Sequence, residues 1–132
     1  MKITGLELIP AYTTREMGNT GPSDPVGATS THVVVKVHTD TDILGIGEMS
    51  DIDFARDVRL VEKLHNRLQE FLIGQDPFRL AAILSDLKTE EWDHQVLCGI
   101  DTALHDSVGK ALDVPVYQLL GGKVRDKIRF SY

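Results

Sequence analysis

Apolar and polar positions alternate along the front of this chain and recur at threes and fours behind it. Ile3 to Ile9 alternates loosely and predicts a strand. His32-Val33-Val34-Val35-Lys36-Val37-His38-Thr39 is β-branched almost throughout and predicts a stronger one. Thr39-Asp40-Thr41-Asp42 has the composition of a tight turn, and Ile43 to Glu48 returns as a third strand, closing a hairpin. A sheet this small needs a helical layer on one face. Phe54, Val58, Val61, Leu64, Leu68, Phe71 and Leu72 supply one, as the stripe of an amphipathic helix ending near Gly74. Asp76-Pro77 starts a second helix that runs to about Leu87, with Asp as cap and Pro at the first helical position. A third begins around Asp93, buries Val96, Leu97, Ile100, Leu104, Val108 and Ala111, and stops before Pro115. Strands first and helices afterwards predict an α+β fold, a three-stranded antiparallel meander followed by a helical bundle.

Two stretches do not fit a closed domain of that kind. Tyr12 to Ser30 holds Gly18, Gly21, Gly27, Pro22 and Pro25, and a connection of that length inside a small domain reads as a lid or binding loop. Lys127 to Tyr132 alternates as a half-buried strand with nothing after it to pair with, so the chain is expected to be the front of something longer.

Composition narrows the class. The 132 residues suffice for one domain, and 42% apolar with 26% charged residues is ordinary for a soluble globular protein. Fourteen basic against twenty acidic side chains leave a formal charge of −6, which lacks the cationic footprint of a nucleic-acid binder. Glu7 interrupts the first apolar segment, and no apolar run approaches membrane-spanning length. The single cysteine, Cys98, cannot form an internal disulfide and suits a reducing cytoplasm. Cytoplasmic location, no nucleic acid and no membrane are the expectations, with Cys98 a small buried side chain.

A longer motif sharpens this. Ile100-Asp101-Thr102-Ala103-Leu104-His105-Asp106, Gly109-Lys110-Ala111-Leu112 and Pro115-Val116-Tyr117-Gln118-Leu119-Leu120-Gly121-Gly122 with Arg125 closely resemble a stretch of the enolase superfamily, in its mandelate racemase and muconate lactonizing enzyme branch. Val35-Lys36-Val37, Thr39-Asp40, Gly45-Ile46-Gly47-Glu48 and Gly74-Gln75-Asp76-Pro77 agree in kind and order. Where relatives commonly have Gly in the hairpin this chain has Asp42, and where they commonly have Trp in the helix it has His105. The resemblance implies an enolase N-terminal-like capping domain over residues 1–126, with 127–132 as the first strand of a (β/α)7β barrel. Such a barrel needs on the order of 250 residues. It also implies a homo-oligomeric parent enzyme that abstracts a proton α to a carboxylate of a small carboxylate or acid-sugar substrate. Racemase, cycloisomerase and acid-sugar dehydratase chemistry all remain open. Mg2+ and the acid/base groups would sit on barrel residues absent here, so no catalytic or metal-ligating residue is carried over and this chain alone is not expected to be an enzyme.

Candidate side chains follow from that frame. The loops corresponding to Tyr12, Arg15, Glu16 and Met17 and to Met49, Ser50 and Asp51 fold over the barrel mouth in the resembled family and help select substrate. Arg15 is either a partner for a substrate carboxylate or a solvated loop cation. Asp101 falls within the apolar stripe at about 100° per residue, so its carboxylate must be paired. It reads as a buried structural anchor for His105 one turn on or for Arg125, in preference to a catalytic acid. Asp51 or Asp53 is expected to cap the first helix. The remaining histidines show no ligand spacing. The alternative function is a free-standing interaction module that keeps the cap fold without a barrel.

Overall fold

The computed structural model describes residues 1–14, 29–52, 57–88 and 92–130. Strands β1 (Ile3–Thr14), β2 (Thr29–Thr39) and β3 (Leu44–Ser50) form one antiparallel sheet in the order β1-β2-β3. β1 runs past the expected Ile9 because Pro10, Tyr12 and Thr14 pair with Val33, Thr31 and Thr29. Pro10 is tolerated there since β1 is an edge strand and the missing donor faces away from the ladder. The hairpin between β2 and β3 turns through Asp42 at φ 59°, the left-handed conformation that Gly adopts most easily and Asp tolerates.

Alternation assigns the two faces. Ile3, Leu6, Val33, Val35, Val37 and Met49 are buried beneath the sheet, while Glu7, Lys36, His38 and Glu48 stand on its outer face. A one-residue slip would exchange these sets, so the register is strongly specified. Below the sheet, α1 (Val58–Leu72) buries Val61, Leu64, Leu68 and Leu72 at the helical spacing. Its cap is Asp57, whose side chain accepts from the Arg59 amide at 3.0 Å. This corrects the expected capping by Asp51 or Asp53: Asp51 accepts from the Ser30 hydroxyl, and Asp53 and Phe54 lie outside the described residues. Asp76 does cap, accepting from the Phe78 amide at 3.1 Å, and one tight turn over Pro77–Arg79 leads into α2 (Leu80–Lys88).

The long α3 (His94–Leu112) buries Val96, Ile100, Ala103, Leu104 and Val108, and ends on Asp113 in the left-handed region. Cys98 is exposed, because Val96, Gly99, Ile100 and Ala103 define the inward stripe and residue 98 falls off it. The short α4 (Val116–Leu119) follows.

β3 and α3 pack at backbone distance. A Cβ on Gly45 would overlap Ser107 and the Ala103 carbonyl, and one on Gly47 would overlap the Gly99 carbonyl. Lys127–Phe130 joins no ladder among the described residues; Ile128 and Phe130 are exposed, and the expected strand over 127–132 is not formed there. Ser131 and Tyr132 lie outside the described residues. Among the described residues no helix is long and apolar enough to cross a membrane.

Candidate functional site

Three strand ends converge at one corner of the sheet. Tyr12 pairs with Thr31, Thr13 with Ser30 and His32 with Ser50, so the end of β1, the start of β2 and the end of β3 form a common rim. Alternation turns Thr13, His32, Glu48 and Ser50 to the same outer face. His32 Nδ1 lies 2.8 Å from Glu48 Oε1, and the Ser50 hydroxyl donates to the same oxygen at 2.7 Å. Thr13 Oγ1 lies 3.3 Å from His32 Nε2. A hydroxyl both donates and accepts, so this chain of contacts is satisfied whether the second ring nitrogen carries a proton or not. The Ser50 hydroxyl first, and His32 second, hold the Glu48 carboxyl below the usual glutamate range.

On the inner side the rim is pinned to the chain that leaves it. Thr31 Oγ1 donates to the Ile52 carbonyl at 2.5 Å, and the Ile52 amide donates to the Thr31 carbonyl at 3.0 Å. Asp51 takes φ 52°, which swings the backbone off β3, and its carboxylate receives the Ser30 hydroxyl. The result is a rim of hydroxyl, carboxylate and imidazole groups suited to hydrogen-bonding polar ligand groups.

The sequence-predicted residues divide cleanly against this geometry. Tyr12, 54% exposed, stands on the rim together with Ser50 and Asp51. Met49 does not: it is 0% exposed, because the period of two that turns Ser50 outward turns Met49 into the core against Gly99. Its selection as a substrate-facing residue is therefore corrected. Arg15, Glu16 and Met17 lie outside the described residues.

Asp101, His105 and Arg125 lie elsewhere. Asp101 and His105 line an open cavity of about 480 Å³ with Ile46, Lys110, Val116 and Leu120. The Asp101 side chain is 46% exposed, against the expectation of a largely buried one. It sits at the border of the buried stripe carried by Ile100, Ala103, Leu104 and Ser107, one step off its centre. His105 Nδ1 is 2.8 Å from Asp101 Oδ1, yet it is aligned on the Asp101 backbone oxygen at 3.0 Å, so the enclosed Oδ1 has close contact without an aligned bond. His105, not Arg125, is the partner; Arg125 is exposed beyond the Gly121-Gly122 turn.

Sequence reasoning missed the outer-face clusters. His38 Nε2 lies 2.5 Å from Glu7 Oε1 and Lys36 Nζ lies 3.5 Å from Glu7 Oε2; chiefly through His38, the Glu7 carboxyl is held below its usual range. Glu7 pairs directly with Lys36 in the β1–β2 register, a pairing that neither strand's pattern contains by itself and that the β2–β3 turn does not set. Among the described residues no three His, Cys, Asp or Glu side chains converge as a metal site.

Known proteins share this architecture. Residues 23–121 match the model of the mandelate racemase / muconate lactonizing enzyme N-terminal domain. The chain belongs to that family. It is 45% identical over 101 residues to a D-galactonate dehydratase of Pectobacterium atrosepticum, a match covering 72% of this chain and 26% of that enzyme. It is 34% identical over 105 residues to a D-xylonate dehydratase of Haloferax volcanii, covering 74% and 24%. The muconate lactonizing enzyme of Pseudomonas putida superposes with a TM-score of 0.72 at 27% identity, over 96% of this chain and 34% of that one. The chain thus spans about a quarter of the length of the dehydratases it matches. Its three-stranded antiparallel sheet followed by helices is the N-terminal domain of enolase-superfamily enzymes.

Proposed function

We propose that this chain is the substrate-specificity cap of an enzyme that abstracts a proton α to a carboxylate, with an acid sugar as substrate. The observation that carries the reading is the 45% identity over 101 residues to a D-galactonate dehydratase. On this reading residues 1–126 are the cap and 127–132 begin a (β/α)7β barrel that follows. Mg2+ and the acid/base groups belong to that barrel, and no step of the chemistry runs through residues described here. The cap acts by binding and by excluding water. Tyr12, Ser50 and Asp51 present hydrogen-bonding groups at the rim, and Arg15, Glu16 and Met17 follow closely in the sequence. A polyhydroxylated carboxylate offers many donors and acceptors, and a site that pairs them rejects analogues lacking one.

The test is a fusion of this chain to the remaining three-quarters of the Pectobacterium dehydratase. Incubated in deuterated water with Mg2+ and a panel of sugar acids, the fusion is expected to exchange the α-proton of at least one of them. The 132-residue chain alone is expected to exchange none. Exchange by the chain alone would overturn the cap reading.

A further inference from the structure

Among the described residues β3 is the edge of its sheet and pairs only with β2, and an open edge invites a further strand. Along this edge the outward-facing backbone groups are those of Leu44, Ile46 and Glu48, the residues of one parity. Two of these groups are already engaged by side chains of α3. The Ile46 amide donates to Asp106 Oδ2 at 2.8 Å, and Lys110 Nζ donates to the Leu44 carbonyl at 2.7 Å. Asp106 and Lys110 close the circuit through Lys110 Nζ to Asp106 Oδ2 at 2.6 Å.

The pattern has a specific meaning. A donor to residue i−1 and an acceptor from residue i+1 is what one residue of a parallel neighbouring strand offers across from residue i, here Gly45. Reach makes it possible. Because Gly45 and Gly47 leave no room for a Cβ, α3 lies close enough for the short Asp106 side chain to meet the β3 backbone. Both contacts carry charge, which strengthens a hydrogen bond.

We propose that Asp106 and Lys110 act as a side-chain surrogate for a fourth strand, closing the β3 edge against pairing with a second copy of this chain. Without them the edge presents free backbone groups beside two exposed apolar side chains, Ile46 and Leu120. A second copy's β3 is the occupant the clip excludes, since two identical edges related by a twofold axis are self-complementary.

Residue-resolved amide exchange and sedimentation velocity on the 132-residue chain test this. The Ile46 amide is expected to exchange roughly tenfold or more slowly than that of Glu48, which faces the same edge without the clip. Asp106→Ala brings the two rates to within about twofold, whereas Asp106→Asn, which keeps a carbonyl oxygen, retains part of the protection. The double variant Asp106→Ala/Lys110→Ala sediments as a larger, concentration-dependent species than the wild type. Equal Ile46 and Glu48 rates in the wild type would overturn the proposal. So would a folded double variant that sediments as the wild type does. Should the alanine variants fail to fold, the wild-type rates and Asp106→Asn still decide.

Discussion

Gly47 has no room for a side chain, since its Cβ would overlap the Gly99 carbonyl and crowd Ala103. Gly47→Ala must therefore push α3 off the sheet, and we expect it to lower stability by about 1–3 kcal/mol. Urea unfolding with an unchanged slope measures this. Asp101 carries less than its place in the stripe implied. With its side chain half exposed and paired within one helix, Asp101→Ala should cost less than about 1 kcal/mol. The outer-face carboxyls of Glu7 and Glu48 respond to pH instead. Their folded-state affinity for protons lies below the ordinary value of 4.5, so the unfolded chain binds protons more readily. Their contribution is present above that value and is lost as pH falls through the lowered folded range. The double variant Glu7→Gln/Glu48→Gln should show a shallower decline of stability over that window, followed by thermal melts at stepped pH. The sequence marks Gly45 and Gly47 as part of a strand, but why they are glycine becomes visible only when α3 is laid against them. Asp101 failed for a related reason: helical phase locates a stripe, not its border.

At the scale of elements, the ends of α1 and α3 show what capping can and cannot announce. Asp76-Pro77 and the left-handed Asp113 are local signals that need no tertiary context. Asp57 was harder to find because an apolar stripe begun at Phe54 placed it inside the expected helix, whereas α1 begins at Val58. Asp57 accepts from the Arg59 amide and side chain, chiefly from Arg59, and its carboxyl is held below the usual range. Asp57→Ala should cost α1 about 0.5–2 kcal/mol, read as a lowered Tm with faster amide exchange in its first turn. Met49 was misplaced because β3 was read only as far as Glu48. Carrying the alternation two residues further puts Met49 with Gly45 and Gly47 on the inward face and leaves Ser50 on the rim. The His32–Glu48 pair needed the β2–β3 register, which the turn over 40–43 fixes, whereas the Glu7 pairs needed the β1–β2 register, which that turn does not set.

For the molecule as a whole, the α+β order was legible because strand and helix periodicities occupy separate parts of the chain. The family was legible because its motifs recur in order from Val35 to Arg125. What remained out of reach was the set of Thr13, His32 and Glu48 that joins Ser50 on the rim, which draws on three strands brought together by pairing. The cap reading makes the rim, with Arg15, Glu16 and Met17, the arbiter of which acid sugar is accepted. The most direct measurement is kcat/KM for D-galactonate and D-xylonate in the fusion of this chain to the Pectobacterium dehydratase, set beside the unaltered dehydratase. The account predicts that exchanging the cap changes the ratio of the two values, and that Tyr12→Ala and Ser50→Ala in the fusion move it again, through KM more than kcat. A ratio unchanged by the exchange and by both substitutions would contradict it.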